Sequence, residues 1–311
     1  MISEDGFVRF LVTGVNGQLG HDVMNELDRR GYDGVGSGRE KTYSGVQEGS
    51  SAMRMPYVCL DITDRNTVDR VMCEVKPDVV IHCAAWTSVD QAEEEKNQAL
   101  VWKVNVEGTT NIADACGKLD CKMVYLSTDY VFDGHGSKAW KPECTEFHPL
   151  NVYGRTKLEG ERVVSQVLEK YFIVRTAWVF GLNGNNFIKT MIRAGKTHEV
   201  VKVVCDQIGT PTYCCDLARL LVDMCETENY GYYHATNEGG YISWYDFCIE
   251  IYRQYGLATR VLPVTTEEYG MCKAERPRNS RLDKQKLVED GFRPLPDWKD
   301  ALDRYLKEAK L

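Results

Sequence analysis

An α/β fold is predicted here, a doubly wound parallel sheet with a second, smaller α/β lobe. Three observations predict it. Short apolar runs recur along the first two thirds of the chain, and those at Val79 to Ala85 and Met123 to Phe132 are long and largely apolar. Such runs suit strands covered on both faces of a parallel sheet. Between them lie stretches with apolar residues at helical spacing, giving strand–helix alternation. The first run, Phe7 to Val12 with Arg9 inside it, leads directly into the glycine-rich turn Thr13-Gly14-Val15-Asn16-Gly17-Gln18-Leu19-Gly20.

After that turn, Val23, Met24 and Leu27 stand at helical spacing up to Gly31. Strand, glycine turn and helix form the context in which such a motif binds a nucleotide. The glycines admit a pyrophosphate close to the backbone, and the helix N-terminus favours an anion. Gly14, Asn16, Gly17, Gln18 and Leu19 are therefore candidate cofactor contacts, on a Rossmann-type domain. The spacing Gly-x-x-Gly-x-x-Gly departs from the commoner Gly-x-Gly-x-x-Gly, so a glycine turn without a ligand is the bland alternative.

A second strand is predicted near Tyr32 to Gly36, ending in Ser37-Gly38-Arg39 with Lys41 behind. NAD sites place an Asp or Glu near here for the ribose hydroxyls. A hydroxyl and the Arg39 cation suit a 2′-phosphate instead, so NADPH is favoured and NADH is the second choice. Thr42 to Pro56 is polar and Gly/Ser-rich, and reads as a flexible surface insertion. Val58 to Ile62 is the third predicted strand, with Asp61 and Ile62 placed to meet an adenine. Val68 to Val75 is amphipathic. Val79 to Ala85 follows, and its small residues Ala84 and Ala85 let a cofactor pass before Trp86 and Thr87. One long helix is expected to carry Val101, Val104, Asn105, Ile112 and Ala113.

The run from Met123 finishes in Ser127, Thr128 and Asp129. Ligands of open α/β sheets bind outside the carboxyl ends of strands, so these hydroxyls can hold a substrate carbonyl. N-capping or a turn is the alternative use for them. Tyr153 and Lys157, four residues apart, share one helix face. A nearby ammonium favours the phenolate, which predicts a lowered Tyr153 pKa and a proton donor usable near neutrality. By itself Tyr-x-x-x-Lys is weak, since many solvated helix faces carry it.

A sixth strand at Phe172 to Arg175 and a last one at Gly231 to Ala235 complete the predicted sheet. A helix from Phe187 to Arg193, a strand at Val200 to Cys205, a helix from Leu217 to Met224 with Asp216 at its start, and a helix from Trp244 to Tyr252 follow less regularly. The expected division is discontinuous, with residues 1–178 and 212–238 binding the dinucleotide and 179–211 and 239–311 forming the substrate lobe. Arg276, Arg278 and Arg281 are candidate phosphate contacts there.

Composition narrows the function classes. A chain of 311 residues with formal charge −8 offers no basic stripe for nucleic acid. No apolar run approaches the ~20 residues that span a bilayer, and the first five residues lack a basic, apolar leader. Twelve cysteines without a Cys-x-x-Cys pair and six scattered histidines argue for reduced thiols and no metal site. A cytoplasmic location is expected.

Taken together, the sequence resembles the extended short-chain dehydrogenases/reductases, and among them the dTDP-4-dehydrorhamnose reductase branch. The resemblance spans nearly the whole chain. It rests on Thr13 to Gly20, Ser127 to Gly134, Asn151 to Leu158, Arg175 to Gly181, Asn186-Phe187, Asp206 to Thr212 and Arg276 to Leu282. It implies Thr128, Tyr153 and Lys157 as the catalytic set, with Tyr153 protonating the sugar C4 oxygen as NADPH delivers hydride. It also implies that Lys157 binds the nicotinamide ribose, and that Thr87, Asp129, Tyr130 and Trp178 line the sugar pocket. Some members carry Mg²⁺ at a homodimer contact; no ligand cluster in this sequence argues for it independently. Two other readings stay open. One is a nucleotide-sugar epimerase or dehydratase that recycles its cofactor. The other is a non-catalytic nucleotide-binding regulatory subunit, because the fold does not settle activity.

Overall fold

A computed structural model describes residues 8–311; the expected strand start at Phe7 lies outside the described residues. Seven parallel strands form the main sheet: β1 (Arg9–Thr13), β2 (Asp33–Gly38), β3 (Tyr57–Cys59), β4 (Val79–His82), β5 (Lys122–Thr128), β6 (Tyr171–Thr176) and β7 (Gly231–His234). Their spatial order is β7-β6-β5-β4-β1-β2-β3. The chain winds outward from β1 through β2 to β3, then returns to lay β4 on the other side of β1. That reversal opens a crevice at the carboxyl ends of β1 and β4, where open sheets bind ligands.

Both faces of the sheet are covered, which explains the unbroken apolar runs. Phe10 and Val12 pack on one face with Leu217, Leu221 and Met24, while Leu11 turns to the other with Val71, Ile112 and Tyr125. Each large apolar side chain so buried contributes about 1.5–3 kcal/mol. A third apolar cluster lies around the helices Phe187–Thr197, Trp244–Tyr255 and Trp298–Ala309, with Phe180, Ile188, Phe247, Ile251 and Leu302 at its centre. There Val200–Val204 pairs in parallel with Arg260–Val264.

The apolar runs at Val79 and Met123 give strands that end at His82 and Thr128, the second continuing into a 3₁₀ turn at Asp129–Val131, and four further departures from expectation bear on the site. The third strand stops at Cys59, because the Asp61 carboxylate accepts the N–H and hydroxyl of Thr63 and turns the chain. The long helix is two, Glu95–Trp102 and Gly108–Leu119, joined by a π-turn at Lys103–Glu107. Its extra residue accompanies an inward-facing Asn105, fully buried, which accepts from Trp86 N at 2.7 Å and donates to Thr156 Oγ1 at 2.9 Å. The helix expected from Leu217 already begins at Cys214, so Asp216 lies in its first turn, where Arg304 grips it with two hydrogen bonds of 2.8 and 2.6 Å.

The insertion from Thr42 to Pro56 is the fourth difference. Tyr43, Ser50, Ser51 and Ala52 are buried, and Ser51–Met53 forms a 3₁₀ turn. Val46 N donates to Asn183 Oδ1 at 2.6 Å, Ser44 N to Asn16 Oδ1 at 3.1 Å, and Ser51 N to Asn25 Oδ1 at 2.8 Å. Polar composition suggested a loose loop, but these backbone N–H groups are held by asparagines distant in sequence.

Candidate active site

A cavity of about 680 Å³ runs along the carboxyl ends of β1, β2, β4, β5 and β6. Apart from the three candidate phosphate arginines, every residue singled out from the sequence for cofactor, sugar or chemistry borders it. Gly14, Asn16, Gly17, Gln18, Leu19, Arg39, Asp61, Ile62, Ala84, Ala85 and Thr87 lie on the loops after β1–β4, while Thr128, Asp129, Tyr130, Tyr153, Lys157 and Trp178 come from β5, β6 and the segments that follow them. Cys83, Val104, Thr176 and Asn185 also border it and were not singled out. Thr176 is opposite Thr128 in the β5–β6 register, a signal that appears only once strand pairing is known.

At the glycine turn, Gly14 has φ +71°, and a Cβ there would stand 2.8 Å from the backbone N and Cα of Ala84. Only glycine lets β1 and β4 close so tightly at the crevice. The helix that follows, Gln18–Arg30, has Gly17 as its N-cap, with no side chain capping it and no acid in its first turn. Those N–H groups fit a pyrophosphate. The side chains of Asn16 and Gln18 do something else as well. Asn16 holds Ser44, and Gln18 Oε1 accepts from Gly181 N at 2.9 Å and Asn186 Nδ2 at 3.1 Å, tying the turn to the insertion and to the loop after Phe180. At the far end Arg39 is exposed and its guanidinium makes no ion pair among the described residues; Glu40 stands beside it. Ser37 is buried and donates to Val12 O at 3.1 Å, so its hydroxyl is already engaged.

At the chemical end Thr128, Asp129 and Lys157 are buried, and Tyr130, Tyr153 and Trp178 are half-buried. Thr128 Oγ1 donates to Asp129 Oδ1 at 3.0 Å and accepts from Tyr130 N at 3.2 Å, closing a 3₁₀ turn at Asp129–Val131. Asp129 is 1% exposed and its Oδ2 has no partner among the described residues. Burial pushes its carboxyl up to about 6, against the hydrogen bonds of Ser280 and Thr128. The Tyr153 helix, Val152–Val167, starts at Asn151, whose Oδ1 accepts Gly154 N at 2.8 Å, while Glu93 Oε1 accepts Val152 N at 2.6 Å. Tyr130 meets the Tyr153 ring edge-on, with centroids 5.6 Å apart.

The lowered Tyr153 pKa expected from the helix spacing does not appear. Burial pushes the phenol well above its ordinary value, Asp129 adds to this, and only the Thr128 hydroxyl works against it. One helix turn on, Lys157 is 3% exposed, and burial lowers its ammonium to about 7 despite Glu161 and Cys83. Sharing a helix face did not couple the two, because the Lys157 Nζ lies over the Tyr125 ring, 4.0 Å from its centroid. Beneath them Glu161 and Arg175, both at most 1% exposed, form a two-pronged ion pair of 2.8 and 2.7 Å, and Ser127 Oγ donates to Glu161 Oε1 at 2.5 Å.

Trp178 is half-buried, with φ +51° and its ring stacked on Trp244 at 3.8 Å between centroids. A Cβ at Gly209 would stand 3.0 Å from it. A bulky residue at positive φ beside a cavity is strain of the kind that binding sites hold. The three candidate phosphate arginines are not brought into the cavity. Arg276 grips Asp90 at 2.7 and 3.1 Å, Arg278 pairs with Glu267 at 2.6 Å, and Arg281 donates to Asn279 Oδ1 at 2.8 Å. Nearby oxygens claim each guanidinium. Among the described residues, no three His, Cys, Asp or Glu side chains gather as a metal site, and no helix is long and apolar enough to cross a membrane.

Against known proteins, residues 8–311 match the family described as the RmlD substrate binding domain. The dTDP-4-dehydrorhamnose reductase of Aggregatibacter actinomycetemcomitans is 40% identical, over 94% of this chain and 97% of its own. The crystal structure of the Bacillus anthracis dTDP-4-dehydrorhamnose reductase in complex with NADP superposes with a TM-score of 0.87 at 39% identity, covering 97% of this chain and 99% of that one. The Thermus thermophilus UDP-glucose 4-epimerase, in complex with NAD, has a TM-score of 0.80 at 21% identity over 97% of this chain and 94% of its own, a likeness of fold alone.

Proposed function

Because the chain belongs to the RmlD substrate-binding-domain family, we propose that it reduces the C4 keto group of dTDP-4-dehydro-L-rhamnose with NADPH, giving dTDP-L-rhamnose, a sugar donor for cell-surface polysaccharide. The observation that carries this reading is one cavity bordered by both the glycine turn and the Thr128, Tyr153 and Lys157 side chains. The names of the relatives support the substrate, and the NADP complex of one of them supports the cofactor.

In this reading the Gly14–Leu19 turn and the uncapped helix behind it hold the pyrophosphate, Arg39 the 2′-phosphate, and Asp61 and Ile62 the adenosine end. When bound, NADPH supplies the hydride. Thr128 hydrogen-bonds the keto oxygen and orients the carbon for attack. Tyr153, whose phenol stays protonated at neutral pH, gives its proton to that oxygen as charge develops there. Lys157 directs its ammonium to the nicotinamide ribose. Thr87, Asp129, Tyr130 and Trp178 enclose the sugar and exclude water. We infer that residues 179–211 and 239–311 form the substrate-binding lobe and that the rest, which also carries these four sugar contacts, forms the cofactor domain.

The test supplies the 4-keto-6-deoxy sugar nucleotide with NADPH and follows the nicotinamide absorbance. Stoichiometric loss is expected; none would sink the reading, and conversion without net NADPH loss would favour an epimerase. Tyr153→Phe should keep cofactor binding and lose turnover by roughly a hundredfold or more.

A further inference from the structure

Lys157 is buried without an ion pair among the described residues, and the carboxylate one helix turn on, Glu161, is already held by Arg175 and Ser127. What lies against its Nζ is the ring of Tyr125, 4.0 Å away at the centroid. Tyr125 is fully buried in β5, and its hydroxyl donates to the carbonyl of Lys157 at 3.2 Å, so ring and helix are fixed to each other. The ring fits because residue 160 is glycine. A Cβ there would stand 2.7 Å from Tyr125 Cζ and closer still to its oxygen. His82, beside Tyr125 in the β4–β5 register, stacks on the ring with centroids 6.0 Å apart, and the Thr13 and Thr109 hydroxyls hold its imidazole at 2.8 and 3.3 Å.

We propose that the Tyr125 ring is the seat of the Lys157 ammonium, a positioning residue occupying the place a carboxylate would otherwise fill. The proposal rests on the reading of Lys157 as part of the catalytic set. A ring face attracts a cation electrostatically. Unlike a carboxylate, it has no strong acceptor on which the three ammonium donors would be spent. The seat therefore holds the charge in place while leaving N–H groups for a ligand in the cavity. Tyr153 and Glu161 on the same helix and His82 and Cys83 at the end of β4 also face Lys157. Of these Glu161 and Cys83 favour its charged form, and His82 is held neutral by burial, which lowers it to about 3.

The test is an NMR titration of the full-length protein carrying ¹³Cε-lysine, the Lys157 signal being identified by its loss in Lys157→Arg. Tyr125→Leu should lower the Lys157 midpoint by roughly 0.5–1.5 pH units, the worth of a desolvated cation–π contact. Tyr125→Phe keeps the ring face and should leave the midpoint within about 0.3 of the parent. An unchanged midpoint in Tyr125→Leu, or an equal fall in Tyr125→Phe, overturns the proposal. Should the leucine variant fail to fold, fluorinated phenylalanines at position 125 drain the π face at nearly constant shape. Their midpoints should then fall stepwise with fluorine count, and a flat series overturns the seat. The titration needs no turnover. A moved midpoint in an enzyme that leaves NADPH unconsumed keeps the seat and removes the catalytic reading.

Discussion

At the β5 end of the cavity Thr128, Asp129 and Lys157 are each at most 6% exposed, while at the β2 end Arg39 and Glu40 stand in solvent. The two ends handle charge differently. In the dry end every charge is settled by the protein itself: Glu161 by Arg175, Lys157 by a ring face, Asp129 by taking up a proton more readily. In the wet end water settles the charges until a ligand arrives. Substitutions that disturb a buried charge at the first end should therefore register in the protein even without ligand, whereas those at the second should act through the ligand.

The hardest test of the dry end is Glu161→Gln. It keeps the shape and leaves the Arg175 guanidinium buried opposite a neutral amide. Removing one partner of a buried pair costs about 3–5 kcal/mol, whereas removing both is close to neutral. Urea unfolding midpoints should show a loss of that size, largely recovered in the double variant Glu161→Leu with Arg175→Met. A single-variant loss below about 1 kcal/mol, the range of a surface pair, would mean that this end is wetter than its geometry indicates.

Asp129→Asn sharpens the contrast through pH. The buried carboxyl titrates near 6, above its ordinary value of 3.8. Below about 4 folded and unfolded chains are both protonated, and the native state has its full advantage from this group. Between about 4 and 6 the folded chain retains a proton that the unfolded chain has released, so stability falls as pH rises, then levels off. Asparagine does not titrate. The stability of the parent relative to Asp129→Asn should fall by on the order of 2–3 kcal/mol from pH 4 to pH 7. A pH-independent difference between the two would place Asp129 in contact with solvent.

Legibility in the sequence followed the same division of labour. The sheet was readable because a strand buried on both faces leaves an unbroken apolar run, as at Val79 to His82 and Met123 to Leu126. The crevice was readable because a tight turn against Ala84 requires glycine at position 14. Side-chain partners far apart in sequence were not readable. The Tyr153–Lys157 spacing predicted a shared helix face correctly and an electrostatic coupling wrongly, since Tyr125, 32 residues before Lys157, receives the ammonium. Asn183 pins an insertion whose composition suggested mobility. Arg276 is a candidate phosphate contact by its charge, but Asp90, 186 residues away, holds it. Local pattern records which face is apolar, but not which polar atoms meet once the chain is folded.

Arg39→Ala should give the smallest effect, and its dependence on conditions distinguishes it from the others. With no ion pair to break among the described residues, the substitution should leave urea midpoints within about 0.5 kcal/mol, as for a surface change. Its effect should appear only against a cofactor bearing a 2′-phosphate. A lost charge-assisted hydrogen bond at a solvated site should raise the NADPH KM about five- to tenfold and leave that for NADH nearly unchanged. Glu40 beside it limits the attraction, so the gain from Arg39 is modest even at low salt. Raising ionic strength from about 0.1 to 1 M shortens the screening length from roughly 10 to 3 Å. The NADPH penalty should shrink accordingly, while the Glu161→Gln loss, set in a dry interior, should hold. Equal KM changes for both cofactors would show that Arg39 does not touch the 2′-phosphate, and a penalty indifferent to salt would show that this end of the cavity closes over its ligand and is as dry as the other.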